Sequence, residues 1–146
     1  MPSDTKEDQQ KSTDESTCTY EIDTAWFEQN NKSLVHVLRL RLCETCQKKQ
    51  SKKNMNKEKW ENLLKSIVTH CHKQPTFITP EKTIYESAFR VILANNNKPT
   101  PVDVIFSEIK RYWTAGHSVK AITVEILTAL LNKDTLYGIR RIETRE

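Results

Sequence analysis

Cys43-Glu44-Thr45-Cys46 and, 24 positions beyond its second thiol, His70-Cys71-His72 are the segments whose reading decides the fold. A C-x2-C turn lets two sulfurs grip one ion without strain, and the later cluster adds sulfur and imidazole donors. A tetrahedral zinc site needs four such ligands. Cys43 and Cys46 supply the first half and Cys71 the third ligand. The fourth is His70 or His72, with His72 placed ahead because the helix carrying the cluster ends there and its backbone is freer. Cys71 also lies on an apolar helical stripe, so core packing is its alternative role. A closed four-ligand site leaves no position for water, so the metal would staple the fold rather than catalyse.

Upstream of the first thiol, Asp23 or Thr24 can cap a helix. Phe27, Leu34, Leu38 and Leu42 then follow at spacings that make one helical stripe. The alternation Leu38-Arg39-Leu40-Arg41-Leu42 also suits a strand; helix is favoured because the preceding residues carry no strand pattern. The C-x2-C pair therefore follows a helical C-terminus. Disulfide exchange uses thiols at a helix N-terminus, where the dipole lowers their pKa, so a redox role is disfavoured. Between the two cysteine segments, residues 47–59 hold six lysines and one acid, a basic loop. A helix of about 14 residues follows, with Trp60, Leu64, Ile67 and Cys71 on one stripe, and Pro75 stops it. If the two helices formed a tight hairpin, their thiol ends would lie roughly 20 Å apart at ~1.5 Å per residue. The lysine loop must then run back along the helix to close the site.

Downstream, Thr79-Pro80-Glu81 and Thr100-Pro101-Val102-Asp103 are paired helix-start signals: a hydroxyl cap, proline early and an acid at the positive end of the dipole. The first helix buries Tyr85, Ala88, Phe89 and Ile92; the second buries Val102, Ile105, Phe106 and Ile109. Gly116 lies in the loop to a third helix, capped by Thr123, with Ile126, Leu127, Leu130 and Leu131 inside. Leu136 to Ile142 reads as one strand. This order, across roughly residues 79–146, resembles a winged-helix domain. The resemblance implies that the third helix enters a DNA major groove, exposing Thr123, Glu125, Thr128, Asn132 and Lys133. Phosphate grip would come from Lys110, Arg111, Lys120, Arg140 and Arg141, helped by Lys48, Lys49, Lys52 and Lys53 of the basic loop. Only one wing strand follows the third helix, so the wing is expected to be reduced.

Composition narrows the functional classes. Two glycines in 146 residues argue against glycine-rich phosphate loops and many-stranded sheets. No apolar run is long enough to span a membrane. Met1 to Asp14 is polar and acidic, which excludes a signal peptide, so a cytoplasmic location with reduced thiols is expected. Residues 1–23 hold two lysines against seven acids, whereas residues 24–146 hold 21 basic residues against 12 acids, a body of net charge +9. His36 and His117 are isolated. No nucleophile elbow, phosphate loop or H-E-x-x-H motif occurs, so neither an enzyme nor a small-molecule substrate is expected.

The reading is a mainly α protein: a helical N-terminal part with a zinc-type Cys/His cluster, and a winged-helix-like C-terminal half. Its segments are a disordered acidic tail over 1–22 with Cys18 as a bystander, a helical pair with the zinc site over 23–75, and the winged-helix-like unit over 76–146. The expected function is association with DNA or another nucleic acid. The alternative is a protein-interaction subunit with no DNA binding.

Overall fold

Tyr20, expected in a disordered tail, is completely buried. The computed structural model describes residues 18–50, 57–115 and 122–142. Within it Thr19–Ile22 forms a strand, β1, whose Tyr20 and Ile22 side chains are 0 % and 2 % exposed. The expectation of a tail over 1–22 is thus corrected for residues 18–22. Three apolar side chains among polar neighbours are too few to order a free segment, but enough to fill a slot in a sheet already lined by apolar groups. That slot lies between Thr100–Pro101 (β2) and Ile139–Ile142 (β3), giving an antiparallel sheet of order β2-β1-β3. Tyr20 pairs with Thr100 on one side and Arg141 on the other. The Asn97 side chain receives the Ile22 N–H at 2.7 Å and donates to the Ile22 carbonyl at 3.0 Å, extending the ladder where β2 stops.

The remaining elements are helices. The stripe Phe27, Leu34, Leu38 and Leu42 is buried as the spacing requires, but its helix is interrupted. Thr24–Gln29 (α1) stops at Asn30-Asn31, where Asn31 turns left-handed at φ 57°, and Leu34–Arg39 (α2) restarts under a Ser33 hydroxyl cap. Leu38-Arg39-Leu40-Arg41-Leu42 is helix and turn, not strand. Glu44–Gln50 (α3) follows. Then comes Trp60–Thr69 (α4), which buries Leu63, Leu64 and Ile67, and a 3-10 turn over Cys71–Lys73. Among the described residues, the expected helical pair is therefore four short helices.

In the C-terminal half, Ile84–Ala94 (α5) starts four residues later than Thr79-Pro80 suggests. Thr79 instead closes a turn with the Lys82 N–H, and the Thr83 hydroxyl accepts from the Glu86 N–H as the true cap. Val102–Ala115 (α6) buries Val102, Ile105, Ile109 and Trp113. Val124–Asn132 (α7) opens under the Thr123 hydroxyl as expected and buries Leu127 and Leu131; Ile126, expected inside, is 48 % exposed. One apolar cluster joins residues from β1 through Ile139, so the two halves share a core. Arg41 and Arg90 both bind the Glu86 carboxylate; Arg41, through two contacts of 2.8 and 2.9 Å, ties the turn after α2 to α5, and Arg90 pairs with that carboxylate along α5 itself. No helix among the described residues is long and apolar enough to cross a membrane.

Candidate metal centre

The break between α2 and α4 creates the site. Leu42, the last of the apolar stripe, is anchored in the core, which fixes the next residue, Cys43. The Cys43 carbonyl accepts from the Gln47 N–H at 2.9 Å, so Cys43 is the cap of α3 and Cys46 sits in its first turn. The pair therefore opens a helix instead of following one, and the helix-end argument against redox chemistry falls. On the facing segment α4 ends at His70, whose φ −137° and ψ −56° leave the helical region. That kink aims the His70 ring and the Cys71 sulfur at the same point.

Cys43, Cys46, His70 and Cys71 present one donor atom each, all within 4.8 Å of one another, an arrangement compatible with a metal ion. His70 Nδ1 is 3.1 Å from Cys43 Sγ and 3.6 Å from Cys46 Sγ. The Cys43 N–H donates to Cys71 Sγ at 3.2 Å, the kind of backbone support that orients a thiolate ligand. Cys71 is fully buried, Cys46 nearly so, Cys43 half-buried, and His70 exposed at the rim. Burial works against ionisation of all three thiols. At Cys43 the backbone N–H groups of Cys46 and Thr45 and the Cys71 thiol outweigh it and hold the thiol below its ordinary value. Burial and the Cys43 thiol keep Cys46 raised. Burial, seconded by its two thiol neighbours, pushes Cys71 up to about 12. Two buried thiols that resist losing their protons, converging on a third that gives its proton up more readily, are the situation a divalent cation resolves, because its charge displaces those protons.

Three of the four ligands expected from the sequence meet here. The fourth partner is His70; His72 is not in the group. The Tyr112 hydroxyl holds the His72 carbonyl at 2.6 Å, which fixes that residue on the side facing α6. The helix ends at Thr69, three residues earlier than the sequence suggests, and the kink at His70 separates the two imidazoles.

The expected nucleic-acid contacts are scattered by comparison. Thr123 and Lys133 are exposed, as is Arg141. Arg140 binds Glu21 at 2.5 Å and approaches Asp23 at 3.6 Å. Lys48 faces Glu44 at 3.7 Å, and Lys49 is exposed. Thr128, expected on the outer face of the third helix, is buried and donates to the Val124 carbonyl. Asn132 is exposed as expected, and its side chain accepts from the Tyr20 hydroxyl at 2.7 Å. Lys52, Lys53, Gly116, His117 and Lys120 lie outside the described residues. No family model, no curated protein and no solved structure matches this chain.

Proposed function

We propose that the chain is a zinc-stapled, non-enzymatic, nucleic-acid-associated module of winged-helix type. For the metal, the support is the donor set. Three sulfurs and one imidazole are a structural zinc set, and Zn–S of ~2.3 Å with Zn–N of ~2.0 Å places tetrahedral ligand atoms about 3.5–3.8 Å apart. The observed Nδ1–Sγ distances of 3.1 and 3.6 Å bracket the N–S value of about 3.5 Å closely enough for small side-chain shifts to seat the ion.

The winged-helix reading is supported by α5, α6 and α7 packed on a three-stranded antiparallel sheet. Here β1 takes the place between β2 and β3 that a second wing strand would fill. Because β1 comes from the other end of the chain, no turn joins it to β3 and there is no wing tip between them. The observation that carries nucleic-acid association is the charge of residues 24–146, where 21 basic residues stand against 12 acids. A positive surface attracts phosphates without regard to sequence. Fluorescence anisotropy with a short random-sequence duplex across a salt series tests it. Binding should weaken linearly in log[salt], with a slope of about −0.9 per neutralised phosphate. No binding at low salt would sink the proposal.

A second reading, a protein-binding winged helix, is favoured by the outer face of α7. Ile126 there is 48 % exposed, Leu136 just beyond is 72 % exposed, and Glu125 adds an acid where DNA would bring phosphates. Retained affinity-capture of a specific partner by wild type, lost in Ile126→Asp, would support that reading.

A further inference from the structure

His72, left out of the metal cluster, lines a second feature together with α6. Two clefts meet where the 3-10 turn over Cys71–Lys73 abuts that helix. The first, about 200 Å³, has an apolar floor of Val91 and Ala94, with Val104 at its lip and Asn95, Thr100 and Glu108 as polar lining. Val104 is 43 % exposed, one of the few large apolar side chains left open to solvent. The second, about 470 Å³, is lined by His72, Lys73, Gln74 and Pro75. His72, Arg111 and Tyr112 border both, with the guanidinium 4.5 Å from the centre of the phenol ring. The Glu108 carboxylate holds Arg111 at 2.7 Å, and Tyr112 is held through its hydroxyl by His72, so this dividing wall is set in place.

The two clefts differ in chemistry in a way one ligand can satisfy. An apolar floor with an amide and a carboxylate at its edge suits a heteroaromatic base, whose faces are apolar and whose rim carries donors and acceptors. A bowl lined by an ammonium, an imidazole and a guanidinium, with no carboxylate among its lining residues, suits a phosphate. The stacked Arg111–Tyr112 wall gives a flat cationic surface between them. We infer that the joined clefts take a nucleotide unit, base in the first and phosphate in the second, supplied by single-stranded nucleic acid or by a free nucleotide. The inference deepens the nucleic-acid reading and rests on it. It selects an unpaired substrate, because a duplex keeps its base faces stacked inside. It also ties the metal cluster to the clefts, since Cys71 opens the turn that carries His72 and Lys73 to this wall.

The test uses the full chain with a fluorescein-labelled random-sequence single strand, the matching duplex, and a mixture of AMP, GMP, CMP and UMP followed by amide chemical shifts. Lys73→Glu and Val104→Glu change exposed side chains, and an unchanged melting temperature confirms their folding. Each should weaken single-strand binding about tenfold, the size of one lost phosphate or stacking contact, while duplex binding changes little. Lys49→Glu, on α3 and outside the lining of both clefts, should do the reverse. Shifts at Asn95, Val104 and Tyr112 with mononucleotides identify a free nucleotide as sufficient; shifts only with the strand identify the polymer. Single-strand binding that is absent, or unchanged in both cleft variants, overturns the inference. Should duplex binding and its salt dependence survive in that case, the broader nucleic-acid reading stands while the clefts are excluded. Displacement of the strand by nothing but an acidic peptide would also overturn it, in favour of a protein partner.

Discussion

His70 and His72 differ by two positions and have opposite fates, and the reason is one backbone kink. His70 leaves the helical region and turns Nδ1 toward Cys43 and Cys46, while the His72 carbonyl is held by Tyr112. His70→Ala should therefore lower bound zinc well below one equivalent and lower the melting temperature. His72→Ala should keep a full equivalent, measured by metal analysis after dialysis. Equal metal loss in both would assign the ligand wrongly. A second residue-scale expectation concerns Glu86. Its burial raises the carboxyl pKa, but hydrogen bonds and charge from Arg41, then Arg90, more than reverse this and hold it below the usual carboxylate range. A carboxylate with a depressed folded pKa contributes stability that is present above the unfolded value, about 4.3, and is lost as pH falls through the folded one. Wild type should thus lose stability on acidification below about pH 4.3 more steeply than Glu86→Gln, compared by urea midpoints across that range. Equal slopes would remove Glu86 from the acid response.

At the scale of elements, β1 is the piece on which the sheet depends. Tyr20 is fully buried, bonded to Asn132 of α7, and pushed up to about 12 by burial and by the nearby Cys18 thiol. Tyr20→Ala should cost about 3–5 kcal/mol, as other large aromatic deletions do, and lower the denaturant midpoint accordingly. A change under about 1 kcal/mol would mean that β1 is dispensable. The turn into β3 makes a second demand. Gly138 sits at φ +70°, its carbonyl accepts from the Asp23 N–H, and an added Cβ would meet Phe27 and Trp26 ring carbons at 3.0 Å. Gly138→Ala therefore combines left-handed strain with a clash against two aromatic rings, an expected loss of roughly 1–3 kcal/mol in equilibrium unfolding. An unchanged midpoint would show that the rings yield freely.

For the whole molecule, the Cys/His cluster and the sheet are two points where distant segments meet on one core. The cluster closes α3 onto the end of α4, and the sheet closes the N-terminal segment onto the C-terminal half. Zinc at a thousand-fold excess over its dissociation constant stabilises a folded state by about 4 kcal/mol. In a chain of this size that is on the order of 10–15 °C of melting temperature. Chelation should produce a drop of that order, reversed by zinc and absent in Cys43→Ser, which should already melt low. A melting curve indifferent to chelator in the wild type would leave the four residues without a structural metal.

What the sequence determined by itself is what lies in local spacing and chemistry. The C-x2-C pair, Cys71, the apolar stripe through Leu42, and the Thr123 cap are all set by short-range pattern: the structure brings the thiols together, buries the stripe and uses the cap, although the stripe's helix is broken and the pair opens a helix. The order of three helices and a strand in the C-terminal half was legible for the same reason. Only the tertiary structure decided the rest. Which imidazole joins the thiols depends on a single non-helical dihedral at His70. Cys43 caps a helix because the chain restarts after Leu42 is anchored in the core. Tyr20 and Ile22 form a strand because two others, about 80 and 120 residues away in sequence, leave a gap of the right width between them. A four-residue strand holds too little apolar surface to announce itself; its stability comes from partners that no local window contains.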